Sequence, residues 1–185
     1  NGLERFDPET ESFSQFRFNA DDPNSLSDNF IWAITIDSEG ILWIGTQSGG
    51  LNRFDPKTQS FSHFRFNANE PNSLSDDFIW AITEDSKGIL WIGTQSGGLN
   101  RFDPKTKSFS QFRFNIDDPN SISDDNVRVI TEDSEGILWV GTNSGLDQFN
   151  PETKNFRHFS FKPNDKYSLS NNAVRDVIED QKGNL

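Results

Sequence analysis

A repeated unit of 48 residues constrains the fold more than any other feature of this sequence. Residues 28–75 and 76–123 align without gaps and differ at nine positions. Residues 124–170 form a third, more diverged copy, while residues 171–185 match the beginning of the unit and residues 1–27 match its later part. The chain therefore contains three whole units and one unit split between its ends. A fixed period of this length is typical of a repeat architecture.

Each unit contains four short segments with strand character, separated by turn signals. In the first whole unit these strands are predicted at 30–35, 41–46, 51–54 and 61–66. The second segment, Ile-Leu-Trp-Ile-Gly-Thr, begins with four apolar residues in a row, which indicates burial on both faces of a sheet. The sequences Asp-Ser-Glu-Gly, Gln-Ser-Gly-Gly and Asp-Pro-Lys-Thr lie between the strands and carry the residues that tight turns favour.

Four antiparallel strands in a unit of about 40–50 residues are the signature of a β-propeller blade. A helical or leucine-rich repeat would need an apolar period of about 3.6 residues, which the sequence lacks, and a β-helix uses a shorter coil. We therefore predict an all-β protein: a β-propeller of four-stranded antiparallel blades, with about four blades per chain.

The split unit predicts one blade shared between the two ends of the chain. Strands at 3–6 and 13–18 would join a first strand at 174–178. Most of the second strand is missing, because Leu185 aligns with Leu42 and the Trp-Ile-Gly-Thr segment has no counterpart after it. Three interpretations stay open: a segment of a larger propeller whose remaining blades belong to a longer parent chain, a homodimer that forms an eight-bladed ring, or a small closed ring of four blades.

The charge and composition exclude several classes of partner. The formal net charge is -12, so the chain should repel nucleic acid and anionic membrane surfaces. No apolar run approaches the roughly 20 residues that span a bilayer, so we expect no membrane insertion by this segment. The sequence has no cysteine, which excludes disulfides and thiolate chemistry.

Most core positions carry the same residue in every unit, but one position of the first strand varies between units, and so does the position two residues before it. The residues there are Trp32, Trp80, Arg128 and Arg175, preceded by Phe30, Phe78, Asn126 and Ala173. If the first strands line a central channel, indole rings offer stacking surfaces and guanidinium groups offer paired donors for a carboxylate, sulfate or hydroxyl array. We therefore predict a ligand site at these positions. The alternative is that tryptophan fills space between blades and that arginine extends its charge to solvent.

The turns between the second and third strands are expected on the same face as this site. Gln47, Gln95 and Asn143 lie at their tips and are candidate hydrogen-bonding groups for sugar hydroxyls. Their alternative role, shared by the serines beside them, is to stabilise the turns. The tryptophans of the second strand and the phenylalanines of the fourth strand are constant, so both sets are predicted to belong to the core.

Catalysis finds little support in the sequence. His63 and His158 occupy a position that Gln15 and Gln111 hold in other units, and a general base is not usually exchangeable with glutamine. There is no phosphate loop or His/Cys metal cluster, and one carboxylate per Asp-Ser-x-Gly turn is too few for Ca²⁺. We predict no enzymatic activity, no metal and no cofactor, although carboxylates from adjacent blades could still converge, as a hydrolase or lyase would require.

The motif D-S-x-G-I-L-W-I-G-T-x-S-G-G-L-x-R-F closely resembles the two-component regulator propeller repeat, and the resemblance covers almost the whole chain. It implies a propeller from the extracytoplasmic sensor region of a hybrid histidine kinase, often one that responds to glycans, and hence a periplasmic or extracellular location. The chain departs from that family in having only about four blades and no kinase or regulator segment. Only the sensing or scaffold part is therefore expected here.

Two functional hypotheses follow. The first is a non-enzymatic propeller module that binds a glycan or another extracytoplasmic small molecule on its loop face. The second is a structural or self-assembling scaffold without a ligand of its own, which the near-identity of two units favours, since it indicates recent duplication or an artificial sequence. Fold alone cannot choose between them, because propellers carry many functions.

Overall fold

The computed structural model describes residues 2–185, and these contain β-strands and no α-helix. The strands are β1 (Leu3–Asp7), β2 (Ser12–Phe16), β3 (Ile31–Ile36), β4 (Leu42–Thr46), β5 (Leu51–Asp55), β6 (Ser60–Phe64), β7 (Ile79–Glu84), β8 (Leu90–Thr94), β9 (Leu99–Asp103), β10 (Ser108–Phe112), β11 (Val127–Glu132), β12 (Leu138–Thr142), β13 (Leu146–Asn150) and β14 (Asn155–Phe159). No helix in the described part of the chain could cross a membrane.

The strands form three four-stranded antiparallel sheets and one two-stranded sheet, each in simple sequence order. We call the sheets β3–β6, β7–β10 and β11–β14 the first, second and third blades, and the pair β1–β2 the N-terminal hairpin. This architecture confirms the predicted all-β propeller class with four-stranded blades. The strand ends differ from the predictions by one or two residues.

The largest correction concerns the end of the fourth strand. Phe66 was predicted on the same buried face as Phe64, but the strand ends at Phe64 and the Phe66 side chain is 51% exposed. The backbone N–H of Phe66 leaves the ladder and donates to the Asp77 carboxylate at 2.7 Å. Its counterparts Phe114 and Phe161 are exposed for the same reason, so not every phenylalanine of this region belongs to the core.

The core lies between neighbouring blades, where the aromatic residues predicted as interior meet. The ring of Trp43 in the first blade is buried and packs edge-on against Phe102 of the second blade, with centroids 5.5 Å apart. Phe64 approaches the same Phe102 ring at 4.8 Å. Gly45 lets the blades come this close, because a Cβ there would lie 2.5 Å from the Cγ2 atom of Ile79. The apolar W-I-G-T segment therefore serves blade stacking.

Hydrogen bonds join successive blades as well. The Glu84 carboxylate, at the end of β7, accepts both the backbone N–H and the hydroxyl of Ser38 in the first blade's Asp-Ser-x-Gly turn, at 2.8 and 2.9 Å. The Glu132 carboxylate does the same for Ser86. We call this contact the Ser–Glu latch.

The C-terminal segment, residues 171–185, lies beside the third blade as the next first strand would. The Val174 N–H donates to the Thr142 carbonyl at 3.0 Å, and the Glu179 carboxylate forms a Ser–Glu latch with Ser134. Residues 174–178 were predicted as a strand, but they form no ladder with any other segment of residues 2–185. No backbone hydrogen bond in this range joins the segment to β1 or β2.

Candidate ligand-binding site

The variable position of the first strand coincides with a β-bulge in all three complete blades. Pairing with the second strand shifts register between Ile31 and Ala33, and at the equivalent places in β7 and β11. The extra residues at these bulges are Trp32, Trp80 and Arg128. Because a bulge bends the strand and re-aims a side chain, it turns these residues out of the regular alternation of the sheet.

The three bulges lie close together because the first strands are neighbours. β3, β7 and β11 each form one edge of their blade, and β7 contacts both of the others. Side chains that leave these strands in the same direction therefore meet in one row across the three blades. The sequence prediction placed the ligand site on this row.

Four of the predicted residues form one continuous stack: Trp32, Phe78, Trp80 and Arg128. The two indole rings meet edge-on with centroids 4.8 Å apart, and Phe78 lies 4.4 Å from Trp80 and 5.9 Å from Trp32. The guanidinium carbon of Arg128 lies 4.2 Å from the centre of the Trp80 ring, within the range of a cation–π interaction. We call this set the strand-one stack.

The stack is open at one end and holds unused polar groups at the other. The Trp32 side chain is 52% exposed, whereas Trp80 and Arg128 are half-buried. Three polar atoms here are buried without a hydrogen-bond partner: Trp80 Nε1, Arg128 Nε and Asn126 Oδ1. A buried polar group without a partner costs about 1–3 kcal/mol. The two donors and the acceptor would therefore be stabilised by hydrogen bonds to a ligand or to ordered water.

Arg128 is also unusual in its electrostatic setting. Acidic residues outnumber basic ones in this chain, yet the ion pairs among residues 2–185 lie elsewhere and none includes Arg128 or Arg175. A guanidinium that stacks on an indole and has no carboxylate partner retains its capacity for paired hydrogen bonds to an anionic group. The geometry thus unites an aromatic platform with an available cation.

The sequence comparison identifies the repeat that supplies this geometry. The sequence profile of the family described as "Two component regulator propeller" matches residues 25–48, 73–96 and 121–144. Each match includes a first strand with its bulge and the following W-I-G-T or W-V-G-T strand. The chain contains two-component regulator propeller repeats.

Two solved extracellular domains superpose on almost the whole chain. The extracellular domain of BT3049 from B. thetaiotaomicron, assigned to a hybrid two component system, is 27% identical with a TM-score of 0.70, over 98% of this chain and 28% of that one. The extracellular domain of BT4673 from the same organism is 25% identical with a TM-score of 0.79, over 99% of this chain and 23% of that one. The chain thus spans about a quarter of the length of these solved proteins.

More distant relatives share the fold alone. Virginiamycin B lyase from Staphylococcus aureus superposes with a TM-score of 0.63 at 16% identity, over 87% of this chain and 49% of that one. A search of curated proteins gave no significant match. The likeness to the lyase carries no argument for catalysis, because at this identity only the architecture is shared.

The turn tips of the propeller repeats flank the stack. The Gln47 N–H donates to the Phe30 carbonyl at 2.9 Å, and the Gln95 N–H donates to the Phe78 carbonyl at 3.0 Å, so these turns are tied to the start of the first strand. The side chains of Gln47, Gln95 and Asn143 are exposed. Their side-chain amides are therefore available to solvent.

The serines beside these amides are structural, as the alternative interpretation of the sequence predicted. The Ser48 N–H and hydroxyl both donate to the Asp28 carboxylate, at 2.8 and 2.7 Å, and Ser96 makes the same pair of bonds to Asp76. Burial opposes ionisation of Asp28, but the bonds from Phe30 and Ser48 outweigh it and lower the pKa of this carboxyl. These acidic groups serve turns, and residues 2–185 contain no cluster of three or more potential metal ligands.

Two predicted site residues lie outside the stack. Phe30 is exposed and uses its backbone to bind Gln47, and no aromatic ring pairs with its side chain among residues 2–185. Arg175 lies in the C-terminal segment, exposed to solvent. Asn126 makes no ring contact with the stack, but it lies two residues before Arg128 in the chain. Its Oδ1 atom is buried and, like Arg128 Nε, has no hydrogen-bond partner.

Sequence reasoning missed two polar features near this face. The Arg113 guanidinium donates to the Asp125 carboxylate and to the Ser96 carbonyl, both at 2.7 Å. These bonds stabilise the turn that contains Gln95. The Nδ1–H of His158 donates to the fully buried Asp147 carboxylate at 2.7 Å. The signal for the second pair was present, since Asp147 stands where the other complete units have Asn52 and Asn100.

Proposed function

We propose that this chain is a non-enzymatic sensor module that binds a glycan at the strand-one stack, as part of an extracellular or periplasmic two-component receptor. The observation that carries the proposal is the contact of Arg128 with Trp80, with buried and unpartnered Nε atoms on both residues. The likeness to extracellular domains of two-component systems supports the location and the sensor role.

The chemistry of the stack favours a sugar that carries an acid group. The exposed Trp32 ring offers an apolar face for the C–H groups of a pyranose, and Trp80 Nε1–H offers a donor for a ring hydroxyl. Arg128 offers paired donors for a carboxylate or sulfate. The exposed amides of Gln47 and Gln95 would bind hydroxyls at the edge of the sugar.

Isothermal titration calorimetry with two matched probes tests this proposal. An oligogalacturonide supplies both ring faces and carboxylates, and a neutral galactose oligomer of equal length supplies the ring faces alone. We expect measurable binding of both and tighter binding of the acidic oligomer. The Trp32→Ala variant should weaken both at least about tenfold, equivalent to about 1.4 kcal/mol.

Variants at Arg128 separate charge from hydrogen-bond geometry. Arg128→Lys keeps the charge but loses the planar fork, so preference for the acidic oligomer should fall while binding of the neutral oligomer stays. Lys57→Ala, at an exposed position in the turn between the third and fourth strands, is the matched control and should bind as the wild type does. Folded wild-type protein that binds neither oligomer would refute the proposal.

The scaffold hypothesis remains the second candidate, and the near-identity of residues 28–75 and 76–123 favours it. It predicts that Trp32→Ala changes stability or assembly without changing any heat of ligand binding. The same titrations therefore separate the two functions.

A further inference from the structure

One phenylalanine is exposed in every unit, although its position in the repeat never varies. It follows the end of the fourth strand, and its copies are between 46% and 51% exposed: Phe18, Phe66, Phe114 and Phe161. The copy in the second blade, which has a blade on each side, is as exposed as the other three, so this exposure belongs to the unit itself. The phenylalanine two residues earlier packs into the core instead, as Phe64 does against Phe102 at 4.8 Å.

A hydrogen bond from the backbone fixes each of these exposed residues. The Phe66 N–H donates to the Asp77 carboxylate at 2.7 Å, and the Phe114 N–H donates to the Asp125 carboxylate at 2.8 Å. The other two copies donate in the same way to an asparagine side chain, at 2.9 and 2.7 Å. The unit therefore holds an aromatic side chain outside the core in a defined position.

The same hydrogen bonds bring the exposed rings next to the strand-one stack. Asp77 directly precedes Phe78, which belongs to the stack, and Asp125 directly precedes Asn126, whose Oδ1 is buried without a partner. The Asp77 carbonyl also accepts the Gly50 N–H of the turn between β4 and β5, at 3.1 Å. The exposed phenylalanines, these turns and the stack therefore adjoin on one face of the protein.

The surroundings of these rings suit a sugar chain. A half-exposed phenylalanine offers an apolar ring face to the C–H groups of a pyranose. Glu70 and Asp117, in the connectors that follow Phe66 and Phe114, are exposed and can accept hydrogen bonds from sugar hydroxyls. An anionic lipid surface would be repelled, because the net charge of the chain is -12. One ring per blade matches a ligand that is itself a repeating polymer.

We propose that Phe66 and Phe114 are outer subsites of the ligand site, so that the ligand is a polysaccharide segment several sugars long. One part of the segment occupies the strand-one stack, and the rest extends over the connectors of the first and second blades. This inference rests on the proposed function, because the stack binds the first sugars. It adds the length of the ligand and the residues that read this length.

Calorimetric titration with the neutral galactose oligomer, as a disaccharide and as an octasaccharide, tests the proposal. The wild type should bind the octasaccharide at least about tenfold more tightly than the disaccharide. The double variant Phe66→Ser and Phe114→Ser should lose most of this ratio while its affinity for the disaccharide stays the same. Any statistical gain from the longer chain is common to both proteins, so the lost ratio isolates the two rings.

Ile116→Ala is the matched control, because Ile116 is 82% exposed in the same connector as Phe114, and Ala20 and Ala68 stand at its position in other units. It should keep the ratio of the wild type. The double variant should keep the far-UV circular dichroism spectrum of the wild type, since both rings lie outside the core and both backbone hydrogen bonds remain.

The outcomes separate this inference from the proposed function. If the folded wild type binds neither oligomer, both are overturned. If it binds both with equal affinity, or if the double variant keeps the ratio, only the outer subsites are overturned. Equal weakening of both oligomers in the double variant would also overturn them, because the rings would then act through the stack. So would a change in sedimentation mass with the ratio unchanged, which would assign the rings to association between proteins.

Discussion

Replacing Gly45 by alanine should destabilise the protein by separating the first and second blades. The added Cβ would lie 2.5 Å from Ile79 Cγ2 and 2.8 Å from Ile79 Cβ, while non-bonded carbon atoms prefer about 3.5–4.0 Å. Ile79 is fully buried and belongs to the strand that carries the bulge at Trp80, so neither side can move freely. Overpacking of this kind costs about 1–3 kcal/mol, and we expect the upper end of that range.

Urea unfolding followed by far-UV circular dichroism measures the loss, with the slope of the transition as a check on cooperativity. Gly40→Ala is the control for backbone effects. Gly40 has a φ of 82°, and no other residue comes within 4 Å of the place that a Cβ would take, so its replacement by alanine adds backbone strain alone. An L-residue in this left-handed conformation costs about 1–2 kcal/mol. The cost at Gly45 should therefore exceed the cost at Gly40.

A double-mutant cycle decides whether contact with Ile79 causes the loss. Ile79→Ala alone should cost about 2–5 kcal/mol. Combined with Gly45→Ala, it removes Cγ2, the nearer of the two Ile79 atoms that the new Cβ would strike, although Cβ stays. The combined loss should therefore be smaller than the sum of the single losses by about 1 kcal/mol. Additive losses would refute the claim that this glycine sets the spacing of the blades.

Two further predictions concern the buried polar position of the third strand. Burial disfavours the charged form of His158, but bonds to the Asp147 carboxylate and the Pro119 carbonyl outweigh it and raise the pKa of His158 above 6.5. The charged ring therefore stabilises the fold fully below pH 6.5, and this stabilisation is lost as the pH rises through the higher folded-state pKa. The Tm difference between the wild type and His158→Gln should therefore shrink as the pH is raised above 6.5, and a constant difference would contradict this. In the second blade, Asn100→Asp should cost about 1–3 kcal/mol by burying a carboxylate without its partner, and adding Gln111→His should recover part of that loss in the same urea assay. A histidine that recovers nothing would show that the two side chains do not stabilise each other at this position.

The repeat made most of the fold predictable, because four strand-and-turn signals recur at the same spacing in each unit. The bulge was not predictable in this way. It depends on how the first strand pairs with the second, and Trp32 looks like any other residue of an apolar run. The row of variable residues could still be identified, because positions that stack the blades stay constant while Trp80 and Arg128 do not.

Contacts between units were harder to predict than contacts within them. The Ser–Glu latch joins residues 46 positions apart in the chain, and its only trace in the sequence is the exchange of Ile36 for Glu84. The exposure of Phe66 depends on an amide that leaves the ladder to bind Asp77, a side chain of the following connector. Such features require the relative placement of two blades, which periodicity alone does not give.

The most direct test of the ligand site uses the five tryptophans as separate reporters. In a ¹⁵N-labelled protein each indole N–H gives its own NMR signal. The indole N–H groups of Trp43 and Trp91 donate to the carboxylates of Asp37 and Asp85, at 2.7 and 2.8 Å. The indole N–H of Trp80 is buried and has no hydrogen-bond partner. On titration with the oligogalacturonide, the signals of Trp32 and Trp80 should shift together while those of Trp43 and Trp91 stay in place. Unchanged signals from Trp32 and Trp80, at concentrations where the oligomer binds, would contradict the assignment of the strand-one stack as the ligand site.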